Sequence, residues 1–305
     1  MPLPGADLSV SRRSLLGLAA AAYVPFAPPV AFRLGIVKHV GADPMADIGA
    51  VGNLGITTCM PNVSVVTREA ALALKQALDR CGIEATALVT LGPGVKVWDF
   101  LQGPSTIGLV PRATRRERID HFKRASDFAK IAGIPAVQTH CGFIPENPAD
   151  PLYEETVAAL REVAQHCRAN GQTFLCETGQ ETPVTLLRAI TDAGGDNLHV
   201  GLDTANLVLY GKANPLDALE VIGTRVRSVM AKDGNYPTDP RKLGREVPIG
   251  EGKVDFVRIL PRLAELGYRG AITIEREIRG PQQIADLLKA RKYLEAIVNT
   301  MPRKS

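Results

Sequence analysis

The chain has 305 residues, 45% hydrophobic and 22% charged, enough for one large core, since a single α/β barrel uses about 250 residues. Its formal net charge of +4 is mild, and the basic residues are scattered through helical stretches rather than gathered into a stripe, which argues against a nucleic-acid partner. Cys59, Cys81, Cys141, Cys167 and Cys176 form no Cys-x-x-Cys pair and no zinc-ribbon spacing, so buried free thiols are the expectation.

Near its start the chain carries Ser11-Arg12-Arg13-Ser14-Leu15-Leu16-Gly17-Leu18 followed by Ala19 to Ala22. A paired arginine before a moderately apolar, alanine-rich segment is the layout of a twin-arginine export signal. Pro25, Pro28 and Pro29 interrupt the apolar stretch, so it reads as a processed leader and not as a membrane span of about 20 residues. Residues 1–31 are therefore expected to be signal and linker, residues 32–305 the folded domain, and the protein exported to the periplasm or an equivalent extracytoplasmic space with no stable membrane anchor. Such substrates generally cross folded, which is compatible with free thiols.

Beyond the leader, strand-like runs fall at Arg33 to Val40, Gly55 to Met60, Ala85 to Leu91, Ala136 to His140, Thr173 to Glu177, Leu198 to Asp203, Val226 to Lys232 and Ala271 to Glu275. Amphipathic stretches separate most of them: Arg68 to Arg80, Arg116 to Ile131, Tyr153 to Asn170, Pro183 to Ala193 and Val254 to Leu266. Several end at glycine, as helix stops do. Strand alternating with helix implies a parallel sheet, and eight strands favour closure into a (β/α)8 TIM barrel. A doubly wound open sheet is the runner-up; no Gly-x-Gly-x-x-Gly follows the first strand to support it. Arg112, Arg115, Arg116 and Arg118 open one predicted helix and read as a solvated face.

Glu177, Asp203 and Glu275 end, and Asp233 directly follows, the last four strand runs, the end at which a parallel barrel carries its chemistry. Period-two alternation turns Phe174, Cys176, Val200, Leu202, Ile272 and Ile274 toward the helices and Glu177, Asp203 and Glu275 inward. Gln138 and His140 face in on the fourth strand, and Ser228, Met230 and Lys232 on the seventh, leaving Asp233 at the rim. Three inward carboxylates in a low-dielectric mouth repel unless a cation or a shared proton joins them, so a hard-metal site, an acid/base pair, or both are expected. His121 and His166 fall in helical patterns and read as surface residues.

Taken together, Glu177 in CETGQE, Asp203 in GLDTAN, the Lys232-Asp233 pair, the Gly250-Glu251-Gly252-Lys253-Val254-Asp255-Phe256 loop and Glu275 in ITIERE resemble the xylose-isomerase-like barrel superfamily of sugar isomerases and epimerases. That superfamily also holds inosose dehydratases and apurinic-site endonucleases. The resemblance runs from about Arg33 to Val298 and implies a divalent ion, Mn²⁺ or Mg²⁺, held by Glu177, Asp203 and Glu275. The family's seventh-strand histidine is here Met230, a poor ligand for a hard ion, and a sixth-strand histidine is here Asn206. The endonuclease branch's multi-histidine zinc cluster has no counterpart.

The function implied is a metal-dependent sugar isomerase or epimerase, or a related enediolate-forming lyase or dehydratase, acting on a small carbohydrate or keto-sugar. Glu177 and Glu275 would remove and return the proton, His140 would donate to a substrate oxygen, and Lys232 would offset developing negative charge. No Gly-rich phosphate loop follows the last two strands, so the substrate is expected to be unphosphorylated. The alternative is a non-catalytic carbohydrate-binding barrel that lost its metal with the histidine. Barrels of this sort pair through loops, and the excursion from Asp233 to Glu251 is compatible with a homodimer or higher homo-oligomer.

Overall fold

A computed structural model of the chain describes residues 32–301; the expected export segment lies outside the described residues. The barrel strands are β1 (Leu34–His39), β2 (Thr58–Asn62), β3 (Glu84–Ala85) with β4 (Leu88–Val89), β5 (Ala136–His140), β6 (Thr173–Glu177), β7 (Leu198–Asp203), β8 (Val226–Ala231) and β11 (Ile272–Ile274). All these pairings are parallel, and β1 joins both β2 and β11, which closes the ring. The third position is one strand in two pieces, because β2 pairs with both β3 and β4. Thr86 between them still donates its amide to the Cys59 carbonyl at 2.9 Å, so the ladder continues across the break. A short antiparallel hairpin, β9 (Asp233–Asn235) with β10 (Arg245–Val247), occupies the long excursion after β8.

The longer helices are α1 (Pro44–Asn53), α2 (Arg68–Cys81), α4 (Arg112–Ala132), α5 (Pro151–Ala169), α6 (Pro183–Ala193), α8 (Pro215–Ile222), α9 (Phe256–Glu265) and α10 (Pro281–Thr300), with single turns α3 (Gly103–Thr106) and α7 (Asn206–Leu209). Local chemistry sets their ends. Thr67 caps α2 by accepting from the Ala70 amide, and the left-handed Gly82 terminates it, a conformation in which a Cβ is costly. Pro111 precedes α4, so that helix begins four residues ahead of the expected Arg116; proline is well suited to a helix start, where its missing N–H is not needed.

The alternation expected along the strands separates two apolar layers. Phe174, Cys176, Val200, Leu202, Ile272 and Ile274 pack outward in one cluster with Leu74, Phe122, Leu160, Leu186, Phe256 and Ile259 of the helices. Each such buried side chain contributes about 1.5–3 kcal/mol. The barrel interior holds a small second cluster, Met60, Ala87, Val89, Ala136, Leu175 and Met230. That plug supports the polar groups at the strand ends. The described cysteines are free, and all but Cys81 are buried.

Candidate active site

Strand register brings the expected acids together. His140 ends β5 opposite Glu177 at the end of β6, Asp203 ends β7 opposite Met230 of β8, and Glu275 follows β11 with its amide on the Ala231 carbonyl at 3.0 Å. Glu177, Asp203 and Glu275 each offer an oxygen, all within 4.8 Å of one another. Glu177 and Glu275 line a cavity of about 500 Å³ that is also lined by His39, Trp98, His140, Tyr210 and Arg276, and Asp203 is buried behind them.

Each acid is held differently. Glu177 is 3% exposed and lies 3.0 Å from His140 Nε2 through Oε1; it also accepts from Gln138 Nε2 at 3.1 Å and Asn206 Nδ2 at 3.2 Å. Burial works against its charge, but the adjacent imidazolium prevails and holds the carboxyl below its ordinary range. Burial likewise penalises a charged His140, yet Glu177 outweighs it and lifts the imidazole to about 8. Gln180 faces the other ring nitrogen, with Oε1 3.2 Å from Nδ1.

Asp203 is fully buried; Oδ1 accepts from the Ala205 and Asn206 amides at 2.9 and 2.7 Å. Its Oδ2 lies 3.1 Å from Lys232 Nζ, in ion-pair contact but without an aligned hydrogen bond. Burial raises its carboxyl, partly offset by Lys232. Glu275 is pushed up to about 8, again by burial against the pull of Lys232, which lies 3.0 Å from Oε2. Lys232 itself is 1% exposed and also meets Glu277 Oε1 at 2.8 Å; burial opposes its charge, and the acids, Asp203 foremost, more than restore it. Two barrel residues give each other room here: a Cβ on Gly201 would fall 2.4 Å from Gln138 Oε1, so glycine on β7 lets Gln138 reach Glu177.

Two expectations are corrected. Arg118 is not on a solvated face. Its guanidinium is fully buried and donates to the carbonyls of Pro93, Val95, Thr106 and Gly108 at 2.7–3.2 Å, binding the loop that carries Trp98 over the mouth. The Trp98 ring meets His140 edge-on, centroids 4.9 Å apart. His121 is buried, not on the surface, with Nε2 2.9 Å from Thr90 Oγ1. Asp233, expected at the rim and apart from the inward acids, lies outside the three-carboxylate cluster. It is buried and accepts from the Gly234, Gly250, Gly252 and Val254 amides at 2.8–3.0 Å, pinning the loop before α9.

Glu277, Gln180, Trp98 and Tyr210 were not singled out from sequence. Glu277 carried a signal: it shares the parity of Glu275. The other three come from loops and α7's C-terminal edge, where periodicity says nothing.

The donor set suits an oxygen-preferring divalent ion: three carboxylates converge, Asp203 Oδ2 is buried without a hydrogen bond, and carboxylates outnumber the adjacent cations. Met230 faces the same interior, but its sulfur lies 3.3 Å from Gln138 Nε2 and is the wrong chemistry for a hard ion.

A profile described as xylose isomerase-like TIM barrel matches residues 48–297. A crystal structure of a xylose isomerase domain protein from Planctomyces limnophilus is 35% identical, with a TM-score of 0.84, covering 90% of this chain and 99% of that one. A xylose isomerase-like TIM barrel protein from Mycobacterium smegmatis, solved in complex with magnesium, superposes with a TM-score of 0.65 at 18% identity over 84% of this chain and 88% of that one, a likeness of fold. An L-ribulose 3-epimerase of Mesorhizobium japonicum is 24% identical over 63% of this chain and 64% of its own length. An inosose dehydratase of Lacticaseibacillus casei is 27% identical over 49% and 56%. The chain spans from 25% to 67% of the length of the curated relatives it matches.

Proposed function

Because the chain belongs to the xylose isomerase-like TIM barrel family, we propose that it is a divalent-metal-dependent sugar isomerase or epimerase acting on a small unphosphorylated carbohydrate or keto-sugar. The observation that carries this reading is the convergence of Glu177, Asp203 and Glu275 within 4.8 Å, on three strand ends, beside a cavity of about 500 Å³. Those three residues would hold the ion, Mn²⁺ or Mg²⁺, whose contribution when bound is Lewis-acid polarisation of adjacent carbonyl and hydroxyl oxygens of the sugar.

The chain's own residues supply the rest. Glu177 and Glu275 reach the cavity from β6 and from the end of β11, so one removes the carbon-bound proton and the other returns one. His140 fixes Glu177 through Nε2 while Gln180 holds its other ring nitrogen, and Lys232 offsets negative charge that develops on the substrate. Trp98 and Tyr210 present ring surface to the sugar's C–H faces and keep water from the reacting carbon. Arg276 is occupied by Glu246 and Asp286 at 3.0 and 2.7 Å, which supports an unphosphorylated substrate. A dehydratase using the same proton abstraction is the second reading, favoured by similarity to the inosose dehydratases.

Incubation of ketopentoses and ketohexoses with the Mn²⁺-loaded protein in D₂O, followed by NMR, tests the reading. Deuterium on the carbon beside the carbonyl, with a new epimer or isomer, is expected; dehydration would instead yield an unsaturated or deoxy product. No exchange with any ketose, with or without Mn²⁺, would remove the proposal. Running each ketose beside its terminal phosphate shows whether Arg279, which lines the mouth, prefers an anion.

A further inference from the structure

Lys232 stands in a place that the reaction alone does not explain. Its Nζ lies 3.1 Å from Asp203 Oδ2, 3.0 Å from Glu275 Oε2 and 2.8 Å from Glu277 Oε1, and the side chain is 1% exposed. Two of the three residues suited to a divalent ion thus already lean on a fixed cation. An ammonium and a divalent ion drawing on the same carboxylates repel each other, strongly so where little water screens them. Met230, two residues earlier on the same inward parity, adds no ligand to tip the balance toward the ion. Glu277 differs from the other two partners: it is 60% exposed, lines the cavity and does not belong to the three-oxygen cluster.

We propose that Lys232 is the resident cation of this cluster and sets its affinity for divalent metal: an ion binds tightly only when the ammonium releases Asp203 and Glu275 and rests on Glu277. Glu277 is then a positioning residue, holding the displaced lysine at the cavity mouth. The inference rests on the reading that Glu177, Asp203 and Glu275 form the ion site.

The test is calorimetric titration of Mn²⁺ into the chelator-treated wild type, Lys232→Met and Asp203→Asn. Loss of the competing charge should tighten binding by Lys232→Met about tenfold or more relative to wild type, while Asp203→Asn loses binding. Equal or weaker binding by folded Lys232→Met overturns the inference. Diffraction from wild-type crystals soaked in Mn²⁺ gives the answer even if the variant does not fold. Nζ withdrawn from Asp203 and Glu275 but still on Glu277 supports the exchange; Nζ unmoved beside a bound ion overturns it and leaves the ion site standing. An absence of Mn²⁺ binding by wild type and Lys232→Met alike overturns both.

Discussion

Asp203 and Met230 stand opposite each other in the β7–β8 ladder, so the residue standing where the resemblance implies a histidine faces the acid cluster from the next strand. Met230 is 1% exposed and Asp203 fully buried. Met230→His would place an imidazole where a thioether now lies against Gln138. Affinity for Mn²⁺ is expected to rise about tenfold, since neutral imidazole is a competent ligand for such ions. Unchanged affinity by calorimetry would mean that this position does not reach the ion.

Glu275→Gln keeps the shape of the site and removes a proton carrier. Turnover should fall by about 10² to 10⁴, while sugar binding persists. Trp98 is the chain's single tryptophan and lines the cavity, so its fluorescence follows sugar binding in the variant without reference to turnover. Retained turnover would exclude Glu275 from the proton transfer.

Arg118 gathers four carbonyls of the loop beneath Trp98. Arg118→Met strands acceptors that cannot all find water, at about 1–3 kcal/mol for each left unsatisfied. A stability loss of at least about 3 kcal/mol is expected in urea unfolding, with the Trp98 emission shifted to the red in the folded variant. Arg118→Lys, with fewer donors in a less suitable geometry, should fall between the two. A variant as stable as wild type would show that the loop holds itself.

His121 ties stability to pH. Burial first, then Arg124 and Lys96, push its imidazole down to about 4 from the usual 6.5. The unfolded chain therefore takes up a proton near pH 6.5 that the folded chain refuses. The full contribution is present above pH 6.5 and is lost as pH falls from 6.5 toward 4, amounting to about 3 kcal/mol at most. His121→Gln should flatten the stability curve across that window; an unchanged slope would assign it to other groups.

The Arg12-Arg13 pair carries the proposal of twin-arginine export. Replacing both by lysine should leave the protein in the cytoplasm, read by fractionation of cells expressing the full chain. Undiminished export would assign translocation to another route.

The amino-acid sequence by itself determined the alternation of strand and helix, the parity that turns Glu177, Asp203 and Glu275 inward, and hence the fold and the acidic mouth. These are local consequences: the strand repeat of two sets a side chain's direction without reference to any distant residue. Only the tertiary structure decided which groups meet. Lys232 touches Glu277 across 45 positions, His140 meets Gln180 across 40, and Arg118 leaves its helix face to hold a loop. Asp233 has the same strand-end signature as the other acids, yet it serves the Gly250 to Val254 amides. Parity gives direction but not partner; the partner is set by barrel closure and by loops, whose backbone polar groups must be satisfied wherever they are buried.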